Sequence, residues 1–227
     1  MVIPVKDPGA RAAGPPDYDG LARVYRALEF LAFGRDLEAA RFCFLDRLRD
    51  CGQLLVLGEG DGRCLARTLR RQPQLKVTCV DASAAMLRRA AGRLDPAEQA
   101  RVRFVQADVR DLRPAAGAFD GVMTCFFLDG FTDAEVAGIV SRVVPALRPA
   151  ALWLTADFAL PERGLGRWRA RVWLAVLYAF FRWRTGLRVR RLPEIEAALA
   201  AAGFGRVANR ELQWGLIRTS VLRRGGR

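Results

Sequence analysis

The chain has 227 residues, enough for one large α/β domain with a substantial core, and 52% of them are hydrophobic, which excludes disorder over most of its length. No apolar run approaches the roughly 18–20 residues that span a bilayer. The net charge of +13 raises nucleic acid, an acidic substrate and a membrane surface as partners, but two lysines against 35 arginines read first as the composition of a GC-rich genome.

Residues 1–16 carry four prolines with glycine and alanine between them, so a loose arm is expected; the stretch has no apolar core of the kind a secretory signal needs. Asp17 or Asp19 caps a helix with Leu21, Val24, Tyr25, Leu28 and Leu31 on one face. A second helix is expected from Asp36 to Arg49. Gln53 to Gly62 then sets the organisation of everything downstream: Leu54 to Leu57 is an apolar strand, and Gly58, Gly60 and Gly62 follow at alternate positions. Arg63 to Arg71 has helical spacing, with Leu65, Ala66 and Leu69 on one side. Strand, glycine turn and helix open a doubly wound sheet, in which a ligand lies over the end of the first strand. A tight turn with no ligand is the plainer alternative.

Lys76 to Val80 forms a second strand closed by Asp81, about twenty residues past the glycines, where a carboxylate can accept from ribose hydroxyls. Ser83 is placed to cap the next helix. Strands are expected over Arg101–Gln106, Phe119–Cys125 and Ala151–Thr155, and Thr132 with Glu135 forms a capping box. This alternation predicts a parallel sheet covered on both faces. Arg163 to Trp183 breaks the rhythm with tryptophans and aliphatics among arginines. It reads as a lid or pocket wall, as plain core, or as an interfacial anchor giving peripheral membrane contact through 163–183. A helix from Pro193 stops at Gly203, and two strands around Gln213-Trp214 add an antiparallel pair. The five cysteines are odd in number and form no CxxC, which fits reduced thiols in a cytoplasmic protein. With no histidine, no metal site is expected.

The order of these pieces resembles the class I S-adenosylmethionine-dependent methyltransferases, in particular their small-molecule and quinone-type branch. Val56-Leu57-Gly58-Glu59-Gly60-Asp61-Gly62-Arg63-Cys64 is similar to the family's V-L-D-x-G-x-G-x-G, with Gly58 in place of the acidic residue and Cys64 in place of the last glycine. Asp81-Ala82-Ser83-Ala84-Ala85-Met86-Leu87 matches D-x-S-x-x-M-L, Ala107-Asp108-Val109 resembles the third motif, and Tyr18 and Tyr25 sit in a Y-D-x-L-A-x-x-Y pattern like that of the N-terminal cap helix. The resemblance implies a Rossmann-like α/β fold with a seven-stranded, mostly parallel sheet, an antiparallel last strand and a helical N-terminal cap. It divides the chain into an arm, 1–16, and one domain, 17–227, with the cap at 17–50 and an inserted lid-like segment at 158–192.

It also implies S-adenosylmethionine as cofactor and S-adenosylhomocysteine as product. Glu59 would replace the missing carboxylate at the methionine end, Asp81 would hold the ribose, Ala82 and Met86 would flank the adenine, and Asp108 with the Val109 backbone would read its edge. Tyr18, Gly58, Gly60, Gly62 and Cys125 complete the donor side. Tyr25, Phe126, Phe127, Trp168 and Trp173 are the acceptor-side candidates, favouring a small apolar or aromatic acceptor. Asp129 and Asp157, which follow two neighbouring strands, are the candidate bases, with Glu162 and Tyr178 as alternatives. The segment after Thr124 lacks the Asn/Asp-Pro-Pro-aromatic signature of enzymes that methylate exocyclic base or amide nitrogens, which argues against nucleobase amino groups as acceptors, and nucleic acid is not the expected partner. Two other readings stay open. A nicotinamide oxidoreductase would want a glycine where Arg63 stands, and a non-catalytic binding protein would explain Gly58 and Cys64 as losses.

Overall fold

The structure is a computed structural model that describes residues 3–4, 35–161, 164, 166–175 and 191–225. The cap helix with Tyr18 and Tyr25, most of the arm, Glu162 and Tyr178 lie outside the described residues.

Eight strands form one sheet: β1 Ile3–Pro4, β2 Gln53–Leu57, β3 Lys76–Asp81, β4 Val102–Gln106, β5 Phe119–Cys125, β6 Leu147–Phe158, β7 Phe204–Leu212 and β8 Ile217–Arg224. Their order is β1-β4-β3-β2-β5-β6-β8-β7, with β8 antiparallel to both neighbours and every other pairing parallel. Seven strands are those expected from the sequence; the two-residue β1 at the edge is additional. From β2 the chain builds outward through β3 and β4, then returns to add β5 and β6 on the other side. The order therefore reverses between β2 and β5, and the crevice beyond their carboxyl ends is where such sheets place ligands.

Alternation along each strand builds two layers. Leu54 and Val56 of β2, with Leu152 and Leu154 of β6, bury against α2 Arg63–Arg71 and α3 Ala84–Ala91. Leu55 and Leu57, with Ala151 and Trp153, turn the other way onto α5 Asp133–Val143 and α7 Ile195–Ala201. Strands buried on both faces read as continuous apolar runs, which is how β2 appears in the sequence.

Three departures from the expected elements have physical causes. The single helix expected over 36–49 divides into α1 Asp36–Phe42 and a 3₁₀ turn, Leu45–Leu48, at the non-helical Phe44 (φ −120°, ψ 15°). Leu37 and Ala40 belong to one cluster and Leu45 and Leu48 to another, so one straight helix would not bury both pairs. Strand β6 begins at Leu147 rather than Ala151, because Leu147 pairs with Phe119 before the chain bulges through Pro149 and Ala150 (φ 59°) and rejoins at Leu152. A short helix, α4 Pro96–Gln99, has a full capping box from Asp95 and Glu98 with proline at its first turn. That signal was present in the sequence and passed over. A further helix, α6, runs over 166–175.

Candidate active site

The glycine turn is held open by its own backbone. Gly58, Gly60 and Gly62 all have positive φ, at 65°, 68° and 86°. Gly58 N–H donates to the Val80 carbonyl at 2.9 Å, fastening the end of β2 to β3. A Cβ on Gly60 would meet no heavy atom within 4 Å, so the main chain there borders open space that a ligand can approach. Gly62, at the start of α2, has no side chain with which to cap the helix; the Glu59 carboxylate accepts from Leu65 N–H at 2.7 Å instead. The residue next to the expected acidic position thus turns its carboxylate to the N-terminus of α2.

Asp81 stands beside this turn. One oxygen accepts from Gly60 N–H at 3.4 Å and the other from Ser83 N–H at 2.9 Å, while the Ser83 hydroxyl caps α3 through Met86 N–H at 3.2 Å. Asp81 therefore joins the open turn to the start of α3 rather than capping that helix itself. Ala82 and the half-buried Met86 adjoin it; the Ala82 carbonyl accepts from Gln106. At the end of β4, Arg110 donates to both oxygens of Asp108, at 2.5 Å to one of them, and also reaches Glu135 at 3.5 Å. Burial alone would raise the Asp108 carboxyl; the hydrogen bonds from Arg110 outweigh it and hold the group below its ordinary range. Val109 buries its side chain in the core and so anchors this loop.

Across the switch point, β5 ends in Cys125 and a sharp bend. Phe126 has φ 51°, and its N–H donates to the Ala156 carbonyl at 2.6 Å. The Phe126 ring packs edge-on against Phe158 at 5.3 Å, with the Arg41 guanidinium 4.8 Å above it. Phe127 lies against Gly58 and packs on Phe131 at 5.1 Å. Asp157 is buried: it accepts from the Thr155 hydroxyl and, at 3.3 Å, from Phe127 N–H. Those bonds make it an anchor for the 126–130 bend. Asp129 is half-buried and faces backbone N–H groups of its own turn.

Comparison with known proteins agrees with this geometry. A methyltransferase-domain family model matches residues 54–150. A demethylmenaquinone methyltransferase from Thermus thermophilus is 30% identical over 206 residues, which cover 83% of this chain and 88% of that protein. The chain belongs to the class I S-adenosylmethionine-dependent methyltransferases. A ubiquinone/menaquinone biosynthesis C-methyltransferase from Syntrophotalea carbinolica is 28% identical over 221 residues, 89% of this chain and 90% of that one. In fold, the methyltransferase is similar to the 1,6-didemethyltoxoflavin-N1-methyltransferase of Burkholderia thailandensis. The TM-score is 0.59 with 24% identity, over 98% of this chain and 94% of the other.

In this methyltransferase the structure gathers Gly58, Glu59, Gly60, Gly62, Asp81, Asp108, Cys125, Phe126, Phe127 and Asp129 along the carboxyl ends of β2 to β5. It does not bring Trp168 and Trp173 to them. Helical period turns Ala170 and Leu174 of α6 inward, onto a cluster that includes Phe126 and Phe158, and leaves both tryptophans on the outer side. The sequence reading missed Arg41, whose charge bears on both Glu59 and Asp129. Among so many arginines nothing in the sequence marked it. No group of three or more metal-ligating side chains occurs among the described residues, and no described helix is long and apolar enough to cross a membrane.

Burial pushes the Glu59 carboxyl up to about 7 and Asp129 to about 6, and burial beside Asp129 raises Asp157 further. A carboxyl that holds its proton more tightly when folded contributes stability that is fully present below its unfolded value, near pH 4. That contribution is lost as pH rises through the folded value. The melting temperature of the methyltransferase should therefore fall between about pH 5 and 8. Glu59→Gln, which keeps an acceptor for Leu65 N–H, should flatten the part of the fall centred near 7; an unchanged profile by differential scanning calorimetry would show that Glu59 stays ionised.

Proposed function

We propose that the enzyme methylates a small, largely apolar or aromatic acceptor by direct displacement. The observation that carries this reading is the open main chain at Gly60 set beside Asp81, across the switch point from an aromatic bend formed by Phe126 and Phe127. The names of the two quinone methyltransferases point to the same acceptor class.

The residues present suit S-adenosylmethionine, since a Cβ at Gly60 would fill the space beside the turn and Asp81 offers a carboxylate for ribose hydroxyls. When bound, S-adenosylmethionine supplies a sulfonium methyl to the acceptor and leaves as S-adenosylhomocysteine. Asp81 and the Gly60 backbone hold the donor, with Ala82, Met86, Asp108 and the Val109 backbone at the adenine. Phe126 and Phe127 orient the acceptor and exclude water, so alignment supplies most of the acceleration. Asp129, with a carboxyl near 6, is mostly ionised at neutral pH and is the group we assign to take a proton from a phenolic or enolic acceptor. Asp157 keeps the bend in place.

Calorimetric titration with S-adenosylmethionine and S-adenosylhomocysteine tests the reading, and micromolar binding of both is expected. Asp81→Ala should weaken each by about 1–3 kcal/mol, roughly 5- to 150-fold. Asp129→Asn should leave donor affinity unchanged while slowing turnover of phenols. Failure of the folded wild-type protein to bind either ligand would refute the proposal.

A further inference from the structure

We propose that the outer face of α6, together with the tip of the β7–β8 hairpin, docks the protein onto an anionic lipid surface. Among the described residues the exposed large hydrophobics are Trp168, Val172, Trp173, Val207 and Trp214, and all but Val207 lie on these two elements. Trp168 is 70% and Trp214 72% exposed, far beyond what packing leaves such side chains in ordinary surroundings.

The two elements form one patch. Arg169 donates to the Gln213 side chain at 3.0 Å and lies 5.5 Å over the Trp214 ring. Gly166 sits so close beneath the hairpin that a Cβ would come within 2.9 Å of the Trp214 carbonyl oxygen. Gln213 and Trp214 both have positive φ, 53° and 58°, a conformation unfavourable for side chains of their size. The turn therefore holds the indole outward against a backbone preference.

On α6, spacing of four and three residues places Trp168, Val172 and Ala175 along the outward face, flanked by Arg169 and Arg171, while Ala170 and Leu174 are buried. An apolar strip bordered by arginines, with indoles at its margin, matches the boundary between headgroups and acyl chains. Charge points to the sign of that surface: over 166–175, α6 carries Arg167, Arg169 and Arg171 and no carboxylate. The same charge disfavours a second copy, since a two-fold contact would set arginine against arginine. A nucleic acid would use the arginines and indoles but has no use for the aliphatic strip of Val172 and Ala175.

The test uses the full-length protein with vesicles of phosphatidylcholine and phosphatidylglycerol, about two to one, against phosphatidylcholine alone, read by co-sedimentation and tryptophan emission. Binding at least tenfold tighter to the anionic vesicles, weakened by high salt, is expected. Val172→Asp combined with Trp214→Gly, which suits the φ of the turn, should reduce vesicle binding at least tenfold, and Arg171→Glu several-fold. Unaltered binding of S-adenosylhomocysteine and unaltered thermal unfolding would show that the variants are folded. Wild-type protein that stays in the supernatant overturns the proposal. So does tighter binding to polyuridylate RNA with the same variants affected, or self-association that these variants abolish.

Discussion

Gly62→Ala should destabilise the enzyme by about 3 kcal/mol, more than a surface glycine-to-alanine change would, for two independent reasons. At φ 86° an alanine meets the left-handed penalty of about 1–2 kcal/mol. Its Cβ would also lie 2.5 Å from the Ala90 Cα and 3.1 Å from the Ala90 carbonyl oxygen. Both neighbours are backbone atoms of α3, so no side-chain rotation relieves the contact, and α2 and α3 must separate. Forced separation in a packed layer costs about a further 1–3 kcal/mol. For a chain of this size the melting temperature should drop by roughly 6–12 °C. Because the N-cap of α3, Ser83, lies two residues after Asp81, the shift should also loosen the carboxylate that joins the glycine turn to Ser83, and affinity for S-adenosylhomocysteine should fall with stability. A loss below about 1 kcal/mol in urea unfolding would mean that the helices are not packed this closely.

Gly62, Asp81 and the hairpin illustrate why much of this fold was readable before the structure. Each is a local signal: a glycine in a strand-to-helix turn, a carboxylate at a strand end, two apolar runs around a turn. Local signals survive because the residues that create them also satisfy them. What escaped the sequence depended on partners distant in the chain. The break at Phe44 follows from two clusters claiming opposite ends of one helical pattern. The outward turn of Trp168 and Trp173 follows from Ala170 and Leu174 taking the inner face of α6, and helical spacing alone did not say which face would be buried. Asp157 looked like a free carboxylate on the rim until Thr155 and Phe127 were seen to occupy it.

Gly58 belongs to the second group, and it carries the other large prediction. The family motif carries an acidic residue here, and Gly58→Asp would restore it; the change should nonetheless destabilise the protein by about 2–3 kcal/mol. A Cβ at this position would lie 1.9 Å from Cδ2, 2.4 Å from Cγ and 2.5 Å from Cε2 of Phe127, so the ring as a whole occupies the space. Making room costs either the contact of the Phe127 ring with Phe131 or a shift of the backbone that the N–H bond to Asp157 anchors. Aspartate tolerates φ 65° better than most residues, so the larger part of the loss comes from the displaced ring. Glycine at 58 thus leaves the space that the Phe127 ring fills, and the neighbouring acid, Glu59, turns its carboxylate to Leu65 N–H at the start of α2 rather than standing in for the acid at 58. If so, Gly58→Asp with Phe127→Ala should be less destabilised than the sum of the single variants by about 1–2 kcal/mol. Unfolding of the four proteins of that cycle in urea measures the coupling. Strict additivity would mean that Phe127 does not fill the vacated position, and the departure from the family motif would need another cause.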